Sequence, residues 1–188
     1  MKRFAWTFIA GFLIIPTLAW SASVIKMDID DLTKRSDLAV VGKVTSISHQ
    51  NVADRYPETL YKMQVLQTIY GAADGEEITI CLPGGPAGDG LTTFVPGMPR
   101  FKVDEKVAVF LVLDQDRNIA VPTGLEQGVF RIKIHPDTEE EYVTNQTVPI
   151  EIDAASDSGT KISGTKNLSL TKFRKVVKEK ATKLKEKK

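Results

Sequence analysis

Cysteine and histidine are scarce in this chain of 188 residues, which has one cysteine, Cys81, and two histidines, His49 and His135. A single cysteine excludes an intramolecular disulfide, so the folded state has to rely on a hydrophobic core. A zinc site needs three or four histidine, cysteine or carboxylate ligands, and neither histidine has further ligands at a suitable spacing. The sequence therefore predicts no metal centre and no cofactor.

Motifs of the common catalytic sites are missing as well. The chain has no G-x-S-x-G motif, and its glycine-rich stretch at residues 84–90 lacks the Gly-Lys-Ser/Thr ending of a phosphate-binding loop. Unpaired cysteine is among the most buried residue types, so we interpret Cys81 as a core residue. These observations favour a protein that is not an enzyme. The alternative is a cysteine-dependent enzyme in which Cys81 is the nucleophile and His49 or His135 is the base.

A long apolar run occurs only near the N-terminus, at residues 4–15, where it follows two basic residues and precedes a proline. It is too short to span about 30 Å of hydrocarbon, which takes roughly 20 residues. Ala19 and Ser21 are small residues at the positions that signal peptidase requires. The pattern predicts a cleavable signal peptide over residues 1–21 and an exported chain, periplasmic or extracellular, that begins at Ala22 and has no transmembrane segment. An uncleaved N-terminal anchor is the alternative.

Charge is divided unequally along the chain. Residues 22–168 contain 14 basic and 22 acidic residues, a net charge of −8, whereas residues 169–188 contain nine basic and two acidic residues, a net charge of +7. Such asymmetry indicates a contact made by the tail. An exported chain with an acidic body is a poor partner for nucleic acid, so we expect a protein or a component of the envelope, with peripheral contact to an anionic surface. The candidate contacts are Lys178, Lys180, Lys183, Lys185, Lys187 and Lys188.

The same tail has apolar residues at helical spacing, which predicts a C-terminal helix over residues 169–188 with Ser169 or Thr171 as its cap. In one interpretation the apolar stripe lies at a membrane interface. In the other, which we favour for the first two turns, it packs on the body and the lysines keep the protein in solution. The last turns, from Ala181 onward, are expected to project into solvent. The stripe consists of Phe173, Val176, Val177, Ala181 and Leu184.

Short β-strands dominate the region between the two ends. A brief helix is predicted over residues 28–35. Residues 38–48 are rich in β-branched side chains, and Gly42 among them indicates a bulge or a tight bend. Residues 59–70 alternate apolar and polar side chains, which is the period of a half-buried strand. Residues 78–82 alternate in the same way.

The second half of the body continues this pattern. The uninterrupted apolar run at residues 106–113 predicts a strand buried on both faces. Short strands are also predicted at residues 119–121, 127–134 and 142–143. In the strand at 127–134 the predicted inward side chains are Phe130, Ile132 and Ile134, and the outward ones are Arg131 and Lys133.

Six or seven short strands without crossover helices disfavour a parallel sheet. The predicted fold is therefore mainly β, an antiparallel OB-like barrel or a small sandwich with a C-terminal helix. We expect the barrel domain to cover residues 22–145 and a polar linker to cover residues 146–168. The predicted helix follows at residues 169–188.

The stretch at residues 83–99 is rich in glycine and proline and predicts a long irregular loop. Loops of this length are uncommon in compact domains and often have a function. One interpretation is a plain flexible loop. A second is a loop on which a peptide or protein partner docks, and a third is that its apolar residues only hold the loop on the barrel. The candidate partner-binding residues are Gly84, Gly85, Asp89, Phe94, Met98, Arg100 and Phe101.

Residues 38–130 resemble a recurrent family of uncharacterised bacterial exported β-barrel proteins. The opening strands are also similar to netrin-like OB barrels, the type found in tissue inhibitors of metalloproteinases. The resemblance implies a closed five-stranded barrel with extra strands and a C-terminal helix. The inhibitors present a disulfide-tied N-terminal cysteine to the catalytic zinc, and this chain has no such cysteine. The resemblance is carried by residues 36–44, 61–71, 78–85, 96–101, 106–111 and 124–130.

Taken with the signal peptide, these features predict an exported, non-enzymatic binding or accessory module. A protease inhibitor, or a partner of a protease that acts through residues 83–99, is the first alternative. The second is the enzyme that uses Cys81.

Overall fold

A computed structural model describes residues 25–51, 56–71, 76–87, 90–145 and 168–185. The predicted signal peptide, Asp89 and all but the last residue of the predicted linker lie outside these ranges. The fold is mainly β, as the sequence predicts, with one large sheet, a two-stranded hairpin and two α-helices. The strands are β1 (Leu38–Asn51), β2 (Pro57–Tyr70), β3 (Glu77–Pro83), β4 (Gly85–Pro86), β5 (Thr92–Thr93), β6 (Lys106–Asp114), β7 (Ile119–Pro122), β8 (Val129–Ile134), β9 (Glu141–Thr144) and β10 (Leu168–Ser169).

The first helix, α1, spans Ile29–Arg35 and confirms the helix predicted at residues 28–35. Asp28 caps it, because its carboxylate accepts a hydrogen bond of 2.8 Å from the amide of Asp31. Acidic side chains occupy its first turn and basic ones its last, which suits the helix dipole. Ile29 and Leu32 are buried, so this short helix packs onto the sheet.

Five strands form a ring in the order β1-β2-β3-β7-β6, and β6 pairs back with β1. All these pairings are antiparallel except β3 with β7, which is a parallel bridge at the single pair Ile80 and Ala120. The ring is the predicted OB-like barrel in a partly open form. Beyond the ring, β8, β9 and β10 extend the same sheet from β6.

Gly42 lies at one of three register shifts between β1 and β2, so the predicted bulge is confirmed. A Cβ atom at this position would lie 2.5 Å from the Cγ and Sδ atoms of Met63. The glycine therefore allows the fully buried Met63 side chain to pack directly against the backbone of β1.

The body has two hydrophobic cores, one inside the ring and one outside it. Alternate residues of β1 and β6 face each core, because successive side chains of a strand point to opposite faces. The predicted burial of residues 106–113 on both faces is confirmed for residues 107–111. It is wrong for Val112 and Leu113, which lie beyond both cores and are each 40% exposed.

Strand β8 also departs from its predicted alternation. Phe130 is buried as expected, but Ile134 is 63% exposed because the strand passes the edge of the core before it reaches the β8–β9 turn. The Arg131 side chain is only 27% exposed, because its guanidinium lies 2.5 Å from Glu105 and 3.1 Å from Glu126. The strand begins two residues later than predicted because Leu125–Gly128 is a 3-10 helix.

The second α-helix, α2, spans Leu170–Lys185 and covers the outer core. Ser169 accepts a bond of 3.4 Å from the amide of Lys172 and is the cap, which confirms one of the two predicted alternatives. Leu168 and Ser169 pair with β9, so the predicted linker ends before residue 168. The prediction that the last turns project into solvent is wrong for Ala181, which is 7% exposed.

The Phe173 side chain fills the centre of the outer core. Substituting it tests whether packing on the sheet holds α2 in place. Its ring centre lies 4.8 Å from that of Phe130 and 6.3 Å from that of Phe110, and it is fully buried. We expect Phe173→Ala to lower the free energy of unfolding by about 3–5 kcal/mol in chemical denaturation, because it leaves a cavity. The matched control Phe94→Ala removes a ring that is 62% exposed, and its effect should stay within about 0.5 kcal/mol. Equal effects of the two substitutions would contradict the docking of α2.

Candidate functional site

The loop between β3 and β6 is held firmly at its N-terminal end. The Gly84 amide donates a bond of 2.7 Å to the Pro57 carbonyl, and the Thr59 hydroxyl donates one of 2.7 Å to the Gly84 carbonyl. Gly84 and Gly85 have φ values of 104° and 133°, which favour glycine. A Cβ atom at Gly85 would lie 2.6 Å from the Thr59 hydroxyl. These two candidate residues therefore shape the loop through their backbone and lead into the β4–β5 hairpin.

The C-terminal end of the loop is held by apolar packing. Phe101 is 4% exposed and meets the Tyr61 ring edge-on, with 5.0 Å between the ring centres. Met98 is partly buried against the core inside the ring. The prediction that Phe101 contacts a partner is therefore wrong, because its side chain is enclosed by the barrel. For Phe101 and Met98 the alternative interpretation, that these residues hold the loop in place, describes the structure.

Between its two fixed ends the loop presents apolar side chains to solvent. Phe94 is 62% exposed and Leu91 is 67% exposed. The guanidinium carbon of Arg100, itself exposed, lies 4.6 Å from the centre of the Phe94 ring. Such a cation–π contact orients both side chains. Of the candidate partner-binding residues in the described ranges, Phe94 and Arg100 form one surface; we call Leu91, Phe94 and Arg100 the loop patch.

Cys81 and His49 point to opposite faces of the sheet. Cys81 pairs with Leu60 across β2 and β3, whereas His49 pairs with the next residue, Thr59, across β1 and β2. Successive residues of β2 face opposite sides. The His49 Nδ1 atom lies 3.1 Å from the Thr59 hydroxyl, away from the thiol. The structure thus does not bring this histidine to Cys81.

His135 belongs to the β8–β9 turn, where its Nδ1 atom lies 3.9 Å from the Asp137 carboxylate and its ring meets Tyr142 edge-on. Cys81 itself is 4% exposed. Burial, and then the nearby Glu58 carboxylate, raise the pKa of the Cys81 thiol to about 11. A catalytic thiol needs the opposite shift. In the ranges that the structure describes, no three histidine, cysteine or acidic side chains are grouped to hold a metal ion.

A buried acidic residue, Glu58, lies in β2, just before the strand predicted at residues 59–70, and is not among the predicted site residues. Its carboxylate is bonded at 2.7 Å by Arg117 from the β6–β7 turn and at 2.7 Å by Gln50 from β1. The hydrogen bond from Arg117, which outweighs the effect of burial, lowers the pKa of Glu58. The alternation of β2, extended back by one residue, places Glu58 on the same face as Leu60 and Lys62, but it does not show that Arg117 covers the carboxylate. The arrangement ties the β6–β7 turn to β2 and leaves the carboxylate neutralised, so it is structural.

The predicted basic contacts on α2 do not share one environment. Lys178 and Lys183 are exposed. Lys180 instead forms an ion pair with Asp30 on α1, so its ammonium is occupied within the fold. The side chain of Lys185 lies outside the described residues, as do Lys187 and Lys188.

Comparisons of the chain with protein-family models, curated proteins and solved structures found no match. In the part of the chain that the structure covers, neither helix is both long and apolar enough to cross a bilayer.

The Glu58–Arg117 pair predicts a pH-dependent stability. We expect Glu58→Gln to lower the free energy of unfolding at neutral pH, because it removes the charge that Arg117 contacts. The folded-state pKa of Glu58 lies below its ordinary value of 4.5, so the advantage of the wild type is complete above that pH. The higher stability of the wild type is lost as the pH falls through the lowered pKa of Glu58 and its carboxylate is protonated. Denaturation curves of both proteins across this range are the measurement.

The matched control for that experiment is Glu77→Gln. Glu77 pairs with Lys62 at 3.0 Å, but both side chains are more than half exposed, at 54% and 53%. Exposed ion pairs contribute little to stability, so the free energy of unfolding of this variant should differ from that of the wild type by at most about 1 kcal/mol. If the Glu58→Gln variant has the same stability as the control at every pH, the Glu58–Arg117 pair does not stabilise the fold.

The raised pKa of Cys81 predicts an unreactive thiol. With a pKa of about 11, about one thiol in a thousand is ionised at pH 8. We expect iodoacetamide at that pH to label the native protein at least roughly a hundredfold more slowly than the protein in denaturant, since the thiolate is the nucleophile. Mass spectrometry over time measures both rates. Equal rates would show that Cys81 is accessible and ionised in the folded state.

Proposed function

We propose that this chain is an exported, non-enzymatic binding module that engages a protein partner through the loop patch. The observation that carries the proposal is the exposed Phe94 ring. The Arg100 guanidinium lies over this ring, and the loop that contains both residues is held at its two ends. Exposed aromatic and arginine side chains are enriched at the energetic centres of protein interfaces.

The fixed ends of the loop matter for affinity. Binding costs free energy when a loop has to be ordered in the complex. Here the hydrogen bonds at Gly84 and the packing of Phe101 already hold the two ends of the loop in the free protein. A partner would therefore meet the patch in a conformation that needs little rearrangement.

Export rests on the sequence of residues 1–21, which predicts a signal peptide. In the described residues neither histidine is placed as a base for the Cys81 thiol, which supports a binding role over the cysteine-dependent enzyme. A protease as the partner stays a prediction, because nothing about the loop patch is specific to one class of protein.

The test uses the tagged, processed chain purified from cells that export it. We expect the wild type to capture a defined protein from envelope or culture fractions, and Phe94→Ala to capture at least about tenfold less, as for the loss of a central interface residue. Quantitative mass spectrometry of the captured fraction measures the difference, and the affinity of the purified pair gives the same ratio.

The matched control is Val103→Ala, which truncates an apolar side chain that is 51% exposed outside the loop patch. It should capture the same protein as the wild type. Capture that Phe94→Ala leaves unchanged would overturn the proposal. A captured protease whose activity falls in the complex would identify the inhibitor alternative.

A further inference from the structure

Helix α2 has a basic face that the fold leaves in solvent. Lys175, Lys178 and Lys183 are exposed and, with Thr182 and Glu179, line a groove of about 500 Å³. We call these five residues the α2 lysine face. Lys183 lies eight positions after Lys175, which is about 12 Å along a helix axis.

The charge of this face is not neutralised within the fold. No ion pair of Lys175, Lys178 or Lys183 is present among the residues that the structure describes. The nearby α1 supplies Asp30, but that carboxylate is paired with Lys180. Glu179 is the single acidic residue of the face, so three positive charges face one negative charge.

The apolar side of α2 is not available for insertion into a bilayer. Phe173 and Val177 are fully buried, and Ala181 is 7% exposed. An interfacial amphipathic helix binds by placing such a stripe below the lipid headgroups. In this fold the stripe is part of the outer core, so any contact of α2 with a surface has to be made by its charges.

We propose that the α2 lysine face binds the anionic headgroups of a lipid membrane by charge alone, with the helix still docked on the barrel. Among the residues that the structure describes, the side chains that line its groove are polar or charged. Cores of protein interfaces are depleted in lysine, which makes a protein a poor fit. A row of ammonium groups along about 12 Å of helix matches an extended anionic surface better than a single small ligand.

The test measures partition of the processed chain onto vesicles of phosphatidylcholine with phosphatidylglycerol, at low salt. Each lysine near an anionic bilayer contributes roughly a fivefold increase in binding. The triple variant Lys175→Gln, Lys178→Gln and Lys183→Gln should therefore bind about a hundredfold more weakly. Glutamine has a helix propensity close to that of lysine, so α2 stays intact, which circular dichroism verifies.

The matched control changes the net charge by the same amount at exposed lysines elsewhere, in Lys26→Gln, Lys102→Gln and Lys133→Gln. It should retain most of the wild-type binding. Because all three proteins have the same N-terminus, sequenced after purification, any contribution of that end cancels. The test is independent of the loop patch, since Phe94 is unchanged in every variant.

Five outcomes decide the proposal. Loss in the α2 triple variant alone, and loss of wild-type binding in 0.5 M salt, are the expected results, because exposed charges are screened by salt. Equal loss in both triple variants would show that only net charge matters and would overturn the site. A variant-dependent signal that persists in high salt would show that α2 leaves the barrel and inserts. Binding to soluble polyphosphate but not to vesicles would assign the face to an anionic polymer and overturn the membrane proposal.

Discussion

The pairing of β1 with β6 is the interaction on which the rest of the structure depends. Six consecutive residue pairs, from Leu38 with Leu111 to Lys43 with Lys106, join the two strands. One face of this pair lines the interior of the ring and the other forms the floor beneath the helices. Neither core could form without the pair, because each takes its alternate side chains from both strands. This arrangement stabilises a domain that has no disulfides, because the same backbone hydrogen bonds support two layers of packing.

Docking of α2 on that floor also determines what the basic tail can do. A free helix of this sequence could place its apolar stripe in a membrane, but the folded helix uses the stripe to cover Phe110 and Phe130. The side chains of α2 that remain in solvent are mainly charged. The loop patch is the complementary case, because the barrel retains Phe101 and leaves Phe94 in solvent. In both segments the core decides which residues are left for contacts with other molecules.

Much of the fold could be predicted because its strands alternate and its helices begin at capping residues. The alternation of β2 at Tyr61, Met63 and Val65 matches the burial in the structure. The errors at Val112 and Ile134 share a cause: local pattern shows that a side chain is apolar, but not where the core ends. The role of Phe101 was missed because burial within a glycine-rich loop depends on Tyr61, which is distant in sequence. The burial of Glu58 was not predicted for the same reason, since its partner Arg117 comes from a turn 59 residues away.

The parallel bridge between Ile80 and Ala120 is the join between neighbouring strands of the ring that has the fewest paired residues. A rolled sheet opens where the fewest backbone bonds must break, so fluctuations of this barrel are expected to concentrate between β3 and β7. The Glu58–Arg117 pair spans the same gap from the outside, because Glu58 belongs to the β2–β3 side and Arg117 to the turn that leads into β7. The ion pair is thus a second connection between the two sides of this join. Protonation of the Glu58 carboxylate would loosen the barrel along one side while the floor of β1 and β6 stayed intact.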